Sequence, residues 1–394
     1  MITAAPGLQR LAFMAILSVR LPVESVGLVM ADLGVAAFLS LLAGGALSTQ
    51  VMASWAGMAD AVSRRRVCHQ MLAWQAVSMA FVAPLTALLW KAGLVAAPVP
   101  VFLFYLGFSI WQTERAKLLC DRRLALLLVV EVCLTTVAAA SALAGSATAL
   151  ASYAVAMLVA GVAVMAFGRI PPGLPGAEVA EGLNHRETAM LAANSLVSTG
   201  RDLLMVPAIR WVAGNASAGL AAQVLTTMAA LLLLPRALSY HYMPGLSRQA
   251  GSASGIAGVL ADYQRAMSRV LAGISVVLLL GVGAAWSSGV APAQLLIIAL
   301  AGVSLIAGQA GLVSASVLMV RQTVAPILAS AIWTTLVWAL AVLALAAGRP
   351  GGHRPAEALL LLAVVLSLAR ALYLRGRAGR AVNTINNELI QGRS

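Results

Sequence analysis

Apolar residues run through this chain in long continuous blocks rather than in alternation. Twelve blocks can be drawn, at 8–22, 26–54, 70–90, 98–114, 124–144, 147–168, 188–211, 217–240, 268–287, 290–314, 323–347 and 356–374. A helix needs about 20 apolar residues to cross the hydrocarbon core of a bilayer. A transmembrane barrel would instead show strands of about ten residues with apolar and polar positions alternating. Continuous blocks of this length predict helices. The expected fold is an all-α integral membrane protein of about twelve transmembrane helices. The first block is short and contains Arg10 and Arg20, with no small-residue cleavage site after it. It therefore reads as a span and not as a signal peptide.

The polar joints between blocks alternate in charge. One set holds Arg64-Arg65-Arg66, then Arg115, Lys117, Arg122 and Arg123, then Arg169 and Arg186, then Arg248, Arg265 and Arg269, then Arg321, and finally the tail with Arg375, Arg377, Arg380 and Arg393. The opposite set holds only Lys91, Arg349 and Arg354 outside the blocks. Arginine and lysine are retained on the cytoplasmic side, so both termini are expected there, which requires an even number of spans. The longest polar break, Arg169 to Glu187, contains Pro171, Pro172 and Pro175 and divides six spans from six. The expected organisation is an N-terminal six-helix lobe at 1–168, a cytoplasmic linker at 169–187, a C-terminal six-helix lobe at 188–375 and a cytoplasmic tail at 376–394.

The halves are faintly alike. Arg10 to Arg20 matches Arg201 to Arg210 in its arginine-ended apolar pattern, and each is followed by a Gly-Leu pair opening a long span, Gly27-Leu28 and Gly219-Leu220. Internal repeats of this kind occur in secondary transporters, whose substrate site lies between the halves.

Composition agrees with the pattern. Of 394 residues, 61% are hydrophobic and 10% charged, against roughly 25% charged in soluble domains. The net charge of +13 comes almost wholly from arginine, since Lys91 and Lys117 are the sole lysines. In so apolar a chain that charge belongs to loops, and nucleic acid is not an expected partner. Cys68, Cys120 and Cys133 are scattered, as are the four histidines, so no metal-ligand spacing arises and no cofactor is expected. Neither lysine follows a glycine, so no phosphate-cradling P-loop is present. No arrangement of serine, histidine and aspartate suggests an enzyme.

What remains is a sparse set of ionisable residues in or near the spans. Charge at membrane depth is costly and marks functional candidates. Arg20, Arg201 and Arg210 are the substrate-binding candidates, because guanidinium binds phosphate bidentately and stays protonated. Glu24, Asp32, Glu131 and Asp202 are candidates for coupling or for ion pairing. Blander readings stand beside these: Arg20 and Arg210 snorkelling to the interface, Arg201 and Asp202 as an internal pair, and Arg370 as a positive-inside anchor. Arg64-Arg65-Arg66 reads as a topology determinant that also meets anionic lipid. Pro207 and Pro235 are candidate kinks.

Four stretches carry a resemblance. They are Leu21-Pro22-Val23-Glu24-Ser25-Val26-Gly27-Leu28, Asn215-Ala216-Ser217-Ala218-Gly219-Leu220, Pro244-Gly245-Leu246-Ser247-Arg248, and Leu118 to Glu131 with Arg122-Arg123 before a Glu-bearing span. With the span count and the mid-chain break, they resemble the polysaccharide-flippase branch of the multidrug/oligosaccharidyl-lipid/polysaccharide exporter superfamily, which includes O-antigen and exopolysaccharide translocases. The resemblance implies a polyprenyl-diphosphate-linked oligosaccharide as substrate, moved by alternating access across a bacterial inner membrane. It also implies membrane lipids, a polysaccharide polymerase and other assembly proteins as partners. A cation-coupled exporter of drugs or metabolites with the same architecture is the alternative. A membrane-embedded glycosyltransferase is a further one, disfavoured because the loops are short.

Overall fold

The computed structural model describes residues 5–55, 61–144, 148–167, 185–248, 253–320, 325–348 and 354–391. The described residues are helical apart from short turns. The helices are α1 (Ala5–Arg20), α2 (Val23–Leu39), α3 (Ala46–Ser54), α4 (Ala61–Lys91), α5 (Pro98–Cys120), α6 (Leu124–Leu143), α7 (Ala149–Phe167) and α8 (His185–Ala213). They continue as α9 (Asn215–Leu231), α10 (Leu233–Arg248), α11 (Ala253–Ser287), α12 (Pro292–Gln309), α13 (Leu312–Val320), α14 (Ala325–Gly348) and α15 (Arg354–Gln391). All twelve expected spans fall on these helices. The second, eighth and tenth are each drawn as two helices, α2 with α3, α9 with α10, and α12 with α13. The mid-chain linker at 169–184, like Arg321 and Arg349, lies outside the described residues.

Among the described residues, nine helical stretches are long and apolar enough to cross a bilayer unaided. The expected spans on α1, α5 and α8 are not among them. Helix α1 has 16 residues, about 24 Å of rise, short of the roughly 30 Å core. Helices α5 and α8 are long enough but carry Glu114, Arg115 and Lys117, and Arg201, Asp202 and Arg210 respectively. Those charges lower the mean hydropathy of both helices.

The chain packs as two compact units, Met1–Ala222 and Gln223–Ser394. The packing boundary lies inside α9, so it does not coincide with the polar break at 169–187. In the first unit the core is built on Phe13, Leu17, Val26, Leu39, Phe104, Tyr153 and their neighbours. Its most extensive helix pair is α5 with α7. A Cβ on Gly107 would stand 2.6 Å from the Leu158 nitrogen, and one on Gly161 would stand 2.8 Å from Ile110. Such small residues let backbones approach where lipid supplies no hydrophobic drive. In the second unit, Met228, Leu232, Ile274 and Leu278 form one cluster. Leu246, Tyr263, Met267 and Val313 form another. Large apolar side chains such as Leu128, Leu280 and Leu340 face outward, as expected of helices solvated by acyl chains.

Two helix irregularities shape the first unit. Between α2 and α3 the helix widens into a π turn, Leu41–Gly45, with the Gly45 amide donating to the Ser40 carbonyl at 3.2 Å. The widened turn is held by Trp74, whose Nε1 donates to the Leu42 carbonyl at 3.1 Å. Gly44 lies against Ser109 of α5, where a Cβ would meet Cα at 2.7 Å. The second irregularity is Pro207 within α8. Proline supplies no N–H to the carbonyl four residues earlier, that of Leu203. Gly34 of α2 packs there, with a Cβ position 2.7 Å from the Leu203 oxygen. The carbonyl that Pro207 leaves without its helical donor and the bare Gly34 backbone meet where α2 packs on α8.

Candidate functional site

Asp32 and Arg210 meet in the first unit. Asp32 is 1% exposed, and its Oδ1 lies 3.2 Å from Arg210 Nη1. Its two oxygens also accept the Ala96 and Ala97 amides, each at 2.9 Å. Those amides precede α5, whose opening N–H groups have no partners within the helix. Asp32 therefore caps a neighbouring helix and neutralises an arginine at once. Arg210 donates further to Asn215 Oδ1 at 3.2 Å and to the Leu94 carbonyl at 3.3 Å. Gly214, at φ +86°, turns the chain so that Asn215 lies beside Arg210. The result is a satisfied knot joining α2, α8, α9 and the α4–α5 turn.

The same end carries the repeated Gly-Leu pairs. A Cβ on Gly27 would stand 2.1 Å from the Asn215 carbonyl oxygen, and one on Gly219 would stand 2.0 Å from that of Val23. Val23 precedes Gly27 by four residues, and Asn215 precedes Gly219 by four. Helices α2 and α9 thus present the same register to each other in a reciprocal exchange, as two related halves would.

A second buried network joins α1, α5, α6 and α7. Glu131, 3% exposed, accepts Arg115 Nε at 2.7 Å and Gln9 Nε2 at 2.5 Å. Gln9 Oε1 accepts the Tyr153 hydroxyl at 3.2 Å. Arg10 stacks over Phe108 at 5.4 Å. Glu131 is thus partnered by Arg115 and not by any of the three candidate arginines.

A third cluster lies at the basic end of α4 and α5. Arg64 pairs with Asp121 at 3.3 Å and lies 5.1 Å over the Trp55 ring. Trp55 Nε1 donates to Asp121 at 3.0 Å. Lys117 pairs with Glu114 at 2.5 Å and lies 5.7 Å from the same ring. Burial, and then the adjacent Asp121 carboxylate, push the Cys120 thiol above its ordinary range. Beside this cluster is a cavity of about 150 Å³. Arg64 therefore differs from its neighbours: it is 5% exposed and packed, whereas Arg65 and Arg66 are exposed.

The turn after α5 is strained. Arg122 adopts φ 57°, with the Arg123 amide donating to Leu118 and the Arg122 amide to Leu119. This is the helix-ending pattern that favours glycine. Gly93 and Gly289 occupy the same position after α4 and α11.

The remaining candidates are placed separately. Arg20 and Glu24 are exposed. The Arg201 side chain is 11% exposed, and its Nη2 contacts Asp202 at 3.4 Å, while Asp202 is 50% exposed. Arg370, in the second unit, donates to Ser330 at 3.3 Å. The side chains of Pro244, Gly245, Ser247 and Arg248 lie outside the described residues. Gln9, Trp55, Glu114 and Asp121 carried no signal in the sequence, because their partners are distant or share no pattern with them.

With this geometry in place, solved structures can be compared. No protein-family model matches the chain, and no curated protein matches it in sequence. Its backbone superposes on the inward-facing conformation of a multidrug resistance MATE-family transporter of the MOP superfamily with a TM-score of 0.67 and 12% identity, over 96% of this chain and 95% of that one. The chain has a MATE fold. The outward-facing conformation of a MATE-family transporter gives 0.58 at 15% identity, over 97% of this chain and 94% of that one. A MOP-superfamily transporter from Pyrococcus furiosus, for which reverse polarity of the binding pocket suggests a different function, gives 0.56 at 14% identity, over 96% and 93%. Twelve helices in two lobes are the architecture of the MATE fold, and the span count read from hydropathy agrees with it.

Proposed function

We propose that the protein is a membrane transporter working by alternating access, and that its substrate is a polyprenyl-diphosphate-linked oligosaccharide. The MATE fold supports the transport reading. The substrate reading rests on the arginine of α8. Arg201 lies far along α8 with its side chain 11% exposed and 3.4 Å from Asp202. Guanidinium binds a diphosphate bidentately and stays protonated while doing so. Arg210, held by three acceptors, contributes only when the Asp32 knot opens. Arg20 and Glu24, both exposed, are available to line the path. Asp202, Asp32 and Glu131 serve as ion-pair partners or as coupling groups. The chain would lie in a bacterial inner membrane and work beside a polysaccharide polymerase.

The MATE neighbours include multidrug-resistance transporters, which favours a cation-coupled exporter as the second reading. The Pyrococcus neighbour shows that this fold accommodates more than one pocket polarity. The two readings separate in proteoliposomes. Arg201→Ala should cut flipping of a fluorescent polyprenyl-diphosphate oligosaccharide by tenfold or more, about 1.4 kcal/mol, with Arg201→Lys intermediate and membrane insertion unchanged. Undiminished flipping by Arg201→Ala removes the residue assignment. Efflux of a cationic dye without any flipping establishes the exporter instead.

A further inference from the structure

We infer that the exit of α15 from the membrane, Arg375-Gly376-Arg377-Ala378-Gly379-Arg380, is a binding surface for anionic phospholipid headgroups. The apolar run of α15 ends at Leu374. From Ala356 it rises about 28 Å, close to the roughly 30 Å core, and the helix continues to Gln391. Arg375 therefore stands at the core boundary and Arg380 about 8 Å beyond it, across a headgroup layer about 5–8 Å thick. Arginine retention puts this end on the cytoplasmic side. One face of the exit is anchored, because Leu374 and Ala378 are buried and pack with Val317 and Leu318. Arg375, Arg377 and Arg380 are exposed, and no acidic residue lies between Arg370 and Ala381.

The direction of these side chains points to lipid. A helical side chain leans toward the N-terminus of its helix, and the N-terminal side of this exit is the bilayer. The Arg377 guanidinium lies 5.4 Å over the Tyr373 ring, one turn back toward the span. Arg380 Nε donates to the Gly376 carbonyl at 3.4 Å, also one turn back. Helix α11 enters the membrane from the same side with the opposite polarity, and there the same lean carries Arg265 away from the bilayer to Asp262 at 2.6 Å. The glycines are an independent sign. Glycine weakens a helix interior, yet a Cβ on Gly376 or Gly379 would meet nothing within 4 Å, so no internal contact requires either. They leave bare backbone between the arginines, where a phosphate can approach and take bidentate bonds. With three positive charges and no carboxylate, the segment favours an anionic headgroup over a zwitterionic one. This surface does not depend on the transport reading.

The test uses the full chain in detergent with equal amounts of phosphatidylglycerol and phosphatidylcholine of matched chains, read by native mass spectrometry. Wild type should retain phosphatidylglycerol about fivefold over phosphatidylcholine, and a photoreactive phosphatidylglycerol should label α15 at 375–380. The triple variant Arg375→Gln, Arg377→Gln, Arg380→Gln should bring the preference below about twofold, whereas Arg265→Gln should leave it intact. The pair Gly376→Gln, Gly379→Gln fills the bare backbone with better helix formers. It should lower the preference below about twofold as well, with an equal or higher melting temperature, an outcome that a purely structural role for the segment does not give. Should the triple variant fail to insert, the glycine pair decides. No preference in wild type, or a preference retained in the variants, overturns the surface. So does displacement of the phosphatidylglycerol by millimolar inorganic phosphate, which would assign the arginines to a free anion.

Discussion

The two ends of the first unit handle buried charge in different ways. At the Asp32–Arg210 end, side chains close on backbone: Asp32 accepts two amides, Arg210 donates to a carbonyl, and Gly27 and Gly219 press against carbonyl oxygens. At the basic end, side chains close mainly on one another, around Trp55 and a cavity. Backbone partners are fixed once the helices form, so the first arrangement acts as a rigid junction that opens as a whole or not at all. Side-chain partners have rotamers to exchange, so the second can rearrange piece by piece. Buried charge alone does not separate a seal from a site; what the charge is bonded to does.

The sharpest way to break this contrast is Asp32→Ala. It leaves Arg210, 13% exposed, without its carboxylate and strips two amides of their acceptor. A loss of about 3–5 kcal/mol is expected, read as a lowered unfolding midpoint in detergent. Pairing it with Arg210→Met should recover part of that loss; simple additivity would mean the knot is not a unit.

Next in size are the glycines. Gly27→Ala or Gly219→Ala forces a methyl to within 2.1 or 2.0 Å of a carbonyl oxygen, and should cost about 1–3 kcal/mol by overpacking. Gly308→Ala, where a Cβ meets nothing within 4 Å, serves as the control and should stabilise by about 0.4–1 kcal/mol. Equal effects at the three positions would remove the close junction.

At the basic end the same logic gives smaller numbers. Arg64→Gln should cost roughly 1–3 kcal/mol, because Asp121 loses a charged partner, while Arg65→Gln should leave the melting curve unchanged. Arg122→Gly should raise stability by about 1 kcal/mol through relief of the left-handed conformation. A loss of stability there would mean that the Arg122 side chain contributes more than its backbone costs.

How much of this was legible beforehand differs by residue. The twelve spans were, because lipid imposes a length and an apolarity that hydropathy reads directly. Gly27 and Gly219 were visible as a repeated pair, and only their reciprocal contact was hidden. Asp32, Glu131 and Arg210 were visible as misplaced charge, but nothing local said that Asp32 would choose Arg210, 178 positions away, or that Glu131 would choose Arg115. Gln9 and Tyr153 gave no signal, since an uncharged polar residue in a span is unremarkable until its neighbour is known. Arg64 was read with Arg65 and Arg66 as one run, and helical geometry then turned it inward while they stayed outside.

By itself the sequence determined what each stretch must do toward solvent and lipid: cross, turn, or hold charge on one side. Those are one-dimensional properties, set by transfer free energy summed along a helix. Only the tertiary structure decided which charge neutralises which, where backbones touch and where a cavity remains. Those outcomes depend on which helix faces meet, and a periodicity shared by every apolar helix does not encode that.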